Sequence, residues 1–365
     1  MHWILVGKEA PGTKTGGLNR YVEGFAPAMR HAGVEVTEVF LGSVESGQGS
    51  SGLARIWRSF LLGIRTKGVD VIDSHFAMYG MPFVMGALLR ARLRAVQPPV
   101  VVVHFHGPWG DESAIASRTN RSIGLTVKRG MERWVLGRAA VVVVLTKVFA
   151  QEAARTGADP SKIAIIPPGV GEFWSQRSSE PVDEGSVKLL CVRRLTERMG
   201  HERLIRMLHT MNFRVDGRAV CLEVVGTGEL ESHLKSVTQG LGRSDSVRFH
   251  GRLSDIELRA IAHTCTAAVV PTLALEGFGL VVLEAMAMGL PVISTGQGGL
   301  SEAMGPWARV PFLFSLQEPD SLHAAVRAVS IPGRATLGHE VREYALRHTW
   351  EQVARRTLDT VSTKS

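Results

Sequence analysis

The chain has 365 residues, 45% hydrophobic and 21% charged, which is enough for two domains with separate cores and unlike a disordered or fibrous protein. No apolar run reaches the roughly 18 residues of a spanning helix, and the opening run His2 to Gly7 is too short for a signal peptide, so an integral membrane protein is not expected. The formal net charge of +8 favours anionic partners, which could be nucleic acid, a lipid headgroup surface or a diphosphate.

Apolar strand-like runs alternate with amphipathic helix-length segments along the whole chain, the mark of a parallel α/β architecture. In the first half the runs are Trp3 to Gly7, Val34 to Leu41, Val69 to Asp73, Val100 to Phe105, Ala139 to Leu145 and Ile163 to Ile166. After the first run, Thr13-Lys14-Thr15-Gly16-Gly17 opens a helix over about Leu18 to His31. Paired glycines there let backbone approach a phosphate or sugar closely, although Gly-rich strand-to-helix turns are often only turns. The spacing matches neither a Walker A loop nor the G-x-G-x-x-G fingerprint.

Further on, Arg55, Arg58 and Arg65 interleave with Leu53, Ile56, Trp57, Phe60, Leu61, Leu62 and Ile64, and Arg90, Arg92 and Arg94 with Leu89 and Leu93. Such segments pack on a core with a solvated Arg edge, or lie on an anionic membrane surface. No nucleic-acid motif or basic tail is present, so nucleic acid is not expected as a partner. At the fourth strand's end comes His104-Phe105-His106-Gly107-Pro108-Trp109-Gly110-Asp111-Glu112. His106 is the better-placed candidate for donating to a hydroxyl or sharing a proton, while His104, on the same face by alternation, can simply be packed. Trp109, Asp111 and Glu112 are expected on an acceptor side.

Pro167-Pro168-Gly169 breaks the pattern, and the polar stretch 175–186 reads as a linker between domains at 1–174 and 187–342. The runs resume at Val187 to Val192, Val220 to Val225, Val247 to Phe249, Ala267 to Val270, Pro291 to Ser294 and Val310 to Phe314. Two doubly wound sheets would set a ligand cleft between the carboxyl ends of their strands. Cys191, Cys221 and Cys265 have no metal-ligand spacing and are expected as buried thiols in a reducing cytoplasm.

The first strand of the second half runs into Arg193-Arg194-Leu195-Thr196-Glu197-Arg198-Met199-Gly200, where guanidinium groups at a strand end can clamp a diphosphate or form weak surface ion pairs. The most informative stretch is Glu276 to Gly289, E-G-F-G-L-V-V-L-E-A-M-A-M-G. A helix apolar all round belongs inside a protein, so Glu284 is a carboxylate on a buried element and needs donors, either sugar hydroxyls or an Arg elsewhere. Gly277-Phe278-Gly279 gives a turn and Leu280 a helix start whose free N–H groups and dipole suit phosphate.

The strand Ala267 to Thr272, then Glu276 to Pro291, Gly298-Gly299 and Glu302, resemble the signature of retaining glycosyltransferases of family 4. The resemblance implies the GT-B fold, two doubly wound Rossmann-like domains facing across a cleft, with 343–365 crossing back to the first domain. In the family the first Glu of an E-x7-E motif faces the transferred sugar and the second holds the ribose, which assigns Glu276 and Glu284. It makes Gly16-Gly17 the family's Gly-Gly loop, His106 its active-site histidine and Arg194 a diphosphate clamp. The family has Lys just before Gly200; here Met199 stands there, and Arg198 is taken as the second clamp. Family members seat the nucleobase through backbone at the strand end near His250-Gly251, which leaves the base open, with UDP favoured over GDP.

The activity implied is retaining transfer of a sugar from a nucleotide-diphosphate donor to a hydroxyl on a sugar, glycolipid or small molecule, in envelope polysaccharide, glycolipid or natural-product synthesis. No cofactor is expected. No metal is expected either, because a D-x-D motif is missing and cations with helix ends take its place. The rivals are a sugar-nucleotide epimerase and a catalytically idle nucleotide-sugar-binding partner subunit. The expected location is cytoplasmic, with peripheral contact to the inner face of an anionic membrane.

Overall fold

The computed structural model describes residues 1–10, 16–42, 52–108, 123–176, 185–274, 276–330 and 334–364. Thr13, Lys14 and Thr15, Trp109, Asp111 and Glu112, and most of the polar stretch 175–186 lie outside the described residues. The contacts divide the chain into unit 1, Met1–Gly169 with Thr349–Ser365, and unit 2, Val170–His348.

Unit 1 is a parallel sheet of six strands, β1 (His2–Gly7), β2 (Glu35–Phe40), β3 (Val71–Ser74), β4 (Val100–Phe105), β5 (Val141–Val144) and β6 (Ile163–Ile165), in the order β2-β1-β3-β4-β5-β6. The runs at β4 and β5 are nearly all valine because both sheet faces are covered by helices, where β-branched side chains pack well. One apolar core joins Ile4, Val6, Ile72, Phe83, Val103, Val142, Val144 and Phe149. The order reverses between β1 and β3, and at such a switch point the strand ends leave a crevice.

Unit 2 has β7 (Ser186–Val192), β8 (Arg214–Val215), β9 (Arg218–Val225), β10 (Val247–Gly251), β11 (Ala267–Val270) and β12 (Val292–Ser294). Its path is β10-β9-β7-β11-β12, all parallel, with β8 antiparallel on β9. The reversal falls between β7 and β11, so the segments leaving Val192 and Val270 flank this unit's crevice. A second core joins Val187, Leu189, Leu204, Leu208, Leu222, Val224, Val269 and Ile293.

The structure differs from these expectations in detail. Val310 to Phe314 forms no strand; its contribution is one parallel bridge, Ser294 to Leu313, because Pro311 has no N–H for a ladder. A hairpin, β8–β9, turns at Asp216-Gly217 with φ of 47° and 79° and is not among the expected runs. The C-terminal segment is two helices, Arg334–Leu346 and Trp350–Lys364, because the Thr349 hydroxyl accepts from Gln352 N at 3.2 Å and starts a new helix there. The division between units falls at Gly169–Val170, ahead of the polar stretch, and at His348–Thr349. The turn Glu172–Ser175 is tied into unit 2 by Arg259 Nη1, which donates to Phe173 O at 3.1 Å, and by Arg342 donating to Ser175 O.

Helix Trp350–Lys364 packs on helix Gly17–His31 within unit 1. Trp350 meets Tyr21 edge-on at 5.1 Å, and a Cβ at Gly24 would lie 2.0 Å from Trp350 Cε2. Gly24→Ala should therefore push the indole out and cost about 1–3 kcal/mol. Denaturant unfolding followed by tryptophan fluorescence checks this, and an unchanged midpoint would mean the helix is not seated there.

Candidate active site

In unit 2 the two segments leaving the switch point meet. Arg193, the residue after β7, is tied at its backbone by its N–H to Val225 O at 3.0 Å. Its side chain is 8% exposed and its Nη1 donates to Glu276 Oε2 at 2.7 Å. Glu276 is held at its carbonyl by Gly299 N–H at 2.8 Å, and a Cβ at Gly298 would lie 2.4 Å from that oxygen, which accounts for the small-residue turn. The Gly277-Phe278-Gly279 turn follows, with Phe278 buried as its anchor. Gly279 caps the next helix at φ +85°, a backbone that L side chains rarely adopt.

Helix Leu280–Ala287 buries nearly all its residues, and Glu284 is 9% exposed on it, as a helix apolar all round requires. Glu276, Gly277, Phe278, Gly279, Leu280 and Glu284 are thus one continuous wall at the strand ends.

Arg194 is exposed, while its neighbour Arg193 turns inward. Successive residues at a strand end point to opposite faces, in keeping with one of the pair turning inward and the other outward. Arg198 reaches the Ala274 carbonyl at 3.5 Å. Met199 is buried at 4% exposure with its sulfur 4.0 Å from Thr272 Oγ1. His201, the first residue of helix His201–Thr210, is 2% exposed. Burial, then the Arg193 charge, pushes its pKa down to about 4.

Unit 1 gathers a second group at the carboxyl ends of β3 and β4. Asp73 is fully buried; its Oδ2 accepts from Trp3 Nε1 at 3.1 Å and its Oδ1 meets His104 Nδ1 at 2.8 Å. His75 Nε2 lies 3.3 Å from Asp73 Oδ2, and His75 Nδ1 lies 3.2 Å from His106 Nε2. Burial alone would raise the Asp73 carboxyl, but the charge and hydrogen bonds of His104 and His75 hold it well below the ordinary carboxylate range. Burial pushes His75 down, and burial with its two imidazole neighbours pushes His106 well down, so both are neutral near pH 7.

His75 Nδ1 and His106 Nε2 share one proton, and the tautomer decides which ring donates it. His106 thus sits at the open end of a buried chain. His104 is packed under it, with its ring 4.3 Å from that of His75 at 14°.

Asp73, His75 and His104 have ligating atoms within 4.8 Å of one another. Nearly parallel stacked imidazoles do not aim their lone pairs at one point, however, so hydrogen bonding explains the group better than a metal. Gly16 and Gly17 are exposed at the start of helix Gly17–His31, and a Cβ at either meets no described atom within 4 Å. Packing among the described residues therefore does not demand glycine at either position.

Two Rossmann-like units, with carboxylates, a guanidinium and a Gly-capped helix at one switch point, define a GT-B enzyme of sugar transfer. Residues 15–171 match the profile described as Glycosyltransferase Family 4, and residues 172–344 that of Glycosyl transferases group 1. The chain belongs to glycosyltransferase family 4. It is 28% identical over 310 residues, 80% of this chain and 70% of the relative, to D-inositol 3-phosphate glycosyltransferase 2 of Catenulispora acidiphila. Its fold is similar to sucrose-phosphate synthase of Thermosynechococcus elongatus, with TM-score 0.79, 18% identity and coverage of 99% and 98% of the two chains. It is similar too to Anabaena HepE in complex with UDP and glucose, with TM-score 0.74, 17% identity and full coverage of both chains.

The buried imidazoles predict an acid-sensitive fold. A His with its folded pKa below the unfolded value loses stability as pH falls, because the unfolded chain takes up the proton first. For His201 the window runs from the ordinary 6.5 to about 4, with about 3 kcal/mol at stake; His75 and His106 add in the same direction. Denaturant midpoints measured from about pH 7 to about pH 4 should fall, and His201→Gln should flatten part of the slope. A level profile would contradict neutral, buried rings.

Proposed function

We propose that this glycosyltransferase moves a sugar, with retention, from a nucleotide-diphosphate donor, a UDP-sugar in preference to a GDP-sugar, to an acceptor hydroxyl on a sugar, glycolipid or small molecule. The observation that carries the reading is the unit 2 wall, with Glu276 fixed by a buried guanidinium beside a Gly-capped helix start and Glu284 buried further along that helix. A diphosphate suits the helix start, the transferred sugar's hydroxyls suit Glu276, and the ribose hydroxyls suit Glu284. Arg194 and Arg198, on the segment after β7, act as further cations near the leaving group. Gly16 and Gly17 belong to donor binding, since their backbone is open to close approach.

In the proposed reaction the acceptor oxygen attacks the anomeric carbon on the face that the diphosphate leaves. The C1–O bond breaks with its electron pair passing to the phosphate oxygen, and that oxygen takes the acceptor's proton. The helix dipole and guanidiniums stabilise the charge that builds there, so catalysis is mostly positioning and electrostatics, without a divalent cation. His106, as a neutral ring, orients a sugar or acceptor hydroxyl.

A donor screen scored by nucleotide release, with and without acceptors, tests the reading. UDP-sugar consumption that depends on acceptor supports it, whereas donor isomerised without acceptor indicates an epimerase. Glu276→Gln should cut transfer at least about a hundredfold while nucleotide affinity changes by less than about fivefold. Transfer at the parental rate would remove Glu276 from the reaction.

Among the described residues no helix is long and apolar enough to cross a membrane. Helices Gly52–Arg65 and Ala77–Arg94 pack together and still expose Leu53, Trp57, Leu89 and Leu93 beside Arg58, Arg92 and Arg94. This supports peripheral binding to an anionic surface. Vesicles of phosphatidylglycerol with phosphatidylcholine should sediment the protein, phosphatidylcholine alone should not, and Trp57→Ser with Leu93→Ser should weaken binding. Equal sedimentation with both lipids would remove the electrostatic part of the claim.

A further inference from the structure

The segment from Arg193 to His201 carries buried polar atoms without hydrogen-bond partners among the described residues: Arg193 Nε and Nη2, Thr196 Oγ1 and both ring nitrogens of His201. A dry, unpartnered polar group costs about 1–3 kcal/mol. Their concentration in one short stretch beside a Gly-capped helix therefore calls for a ligand rather than chance.

The guanidinium is the informative group. Nη1 is committed to Glu276 at 2.7 Å, which leaves the Nε–Nη2 edge, two parallel donors spaced to take two oxygens of a tetrahedral anion. Nη2 lies 3.6 Å from the position a Cβ would take on Gly279, so this edge abuts the start of helix Leu280–Ala287, whose first amides are themselves anion donors. His201 feels the Arg193 charge and brings a neutral ring to the same neighbourhood. Met199, buried and apolar, stands where the family resemblance calls for a lysine.

We infer that Arg193 is this chain's bidentate clamp for the donor diphosphate, supplying from position 193 the cation missing at 199 while holding Glu276 in place with its remaining nitrogen. The inference rests on the nucleotide-sugar reading. It makes Arg193 a link between the leaving group and the carboxylate assigned to the sugar: one planar cation fixes both, so any shift of the diphosphate is felt at Glu276. Lysine cannot do this, since a point charge has no second edge.

The test first finds which of UDP and GDP the unaltered chain binds more tightly, by calorimetry. That nucleotide and its bare nucleoside are then titrated against Arg193→Lys, Arg193→Gln, Arg194→Gln and the doubly neutral Arg193→Gln with Glu276→Gln. The double variant guards against misfolding from an unpaired Glu276, and circular dichroism checks each fold. Loss of the clamp should weaken the nucleoside diphosphate at least about tenfold in all three Arg193 variants, with the nucleoside changed less than about twofold, and Arg194→Gln should have the smaller effect.

A merely structural Arg193 would weaken nucleotide and nucleoside equally, or would be satisfied by lysine; either result overturns the inference. If the unaltered chain transfers sugar and binds its nucleotide while folded Arg193→Lys binds within about twofold of it, only the clamp is lost. If the unaltered chain binds neither nucleotide, the nucleotide-sugar reading fails as well.

Discussion

The structure of unit 2 turns on a buried ion pair, Arg193 with Glu276, at the place where the sheet order reverses. Taking two charges out of water costs several kcal/mol each, and their attraction in the interior only about repays it. Stability therefore does not explain why both are there, and an apolar pair of similar volume would serve packing as well. Removing one partner, by contrast, costs about 3–5 kcal/mol because the other is stranded. Such a pair makes physical sense where a charged ligand is to be received, and both residues sit on segments leaving the carboxyl ends of strands that flank a crevice.

Unit 1 solves a related problem with different chemistry. Asp73 is fully buried among Trp3, His75 and His104, and its charge is met by hydrogen bonds rather than by a cation on Lys or Arg. The consequence is directional. His104 is oriented by its bond to Asp73, and His106 by the proton it shares with His75 at 3.2 Å. Tyr21 closes the side of this group with its ring 5.0 Å from His106 and 5.1 Å from Trp350, so the C-terminal helix helps to shape it. A short run of sequence at the far end of the chain is thereby tied to the candidate histidine.

Much of this was legible in the residues themselves. Valine-rich runs separated by helix-length segments gave the parallel sheets, because strands buried on both faces carry little else. The all-apolar helix with one carboxylate announced that Glu284 would be buried, and it is. Other features are hidden from the sequence for physical reasons. Asp216-Gly217 is a hairpin signal, but the strand before it is only Arg214–Val215, too short to stand out as an apolar run. Val310 to Phe314 has strand-like residues, but Pro311 cannot donate. The resemblance points to Arg194, while the inward turn of Arg193 depends on strand alternation and on its pairing with Glu276. The Asp73–His75 link joins neighbouring strand ends through space, and no local spacing encodes that.

In the proposed complex the donor's diphosphate rests on the Gly277–Leu280 turn and against the Nε–Nη2 edge of Arg193. A crystal structure with a non-transferable phosphonate analogue of the preferred nucleotide-sugar tests this most directly. Phosphate oxygens within hydrogen-bonding reach of Arg193 Nε and Nη2 and of the first amides of helix Leu280–Ala287, with the sugar beside Glu276, are the predicted result. A diphosphate bound away from both, with that guanidinium edge still facing protein alone, would contradict it.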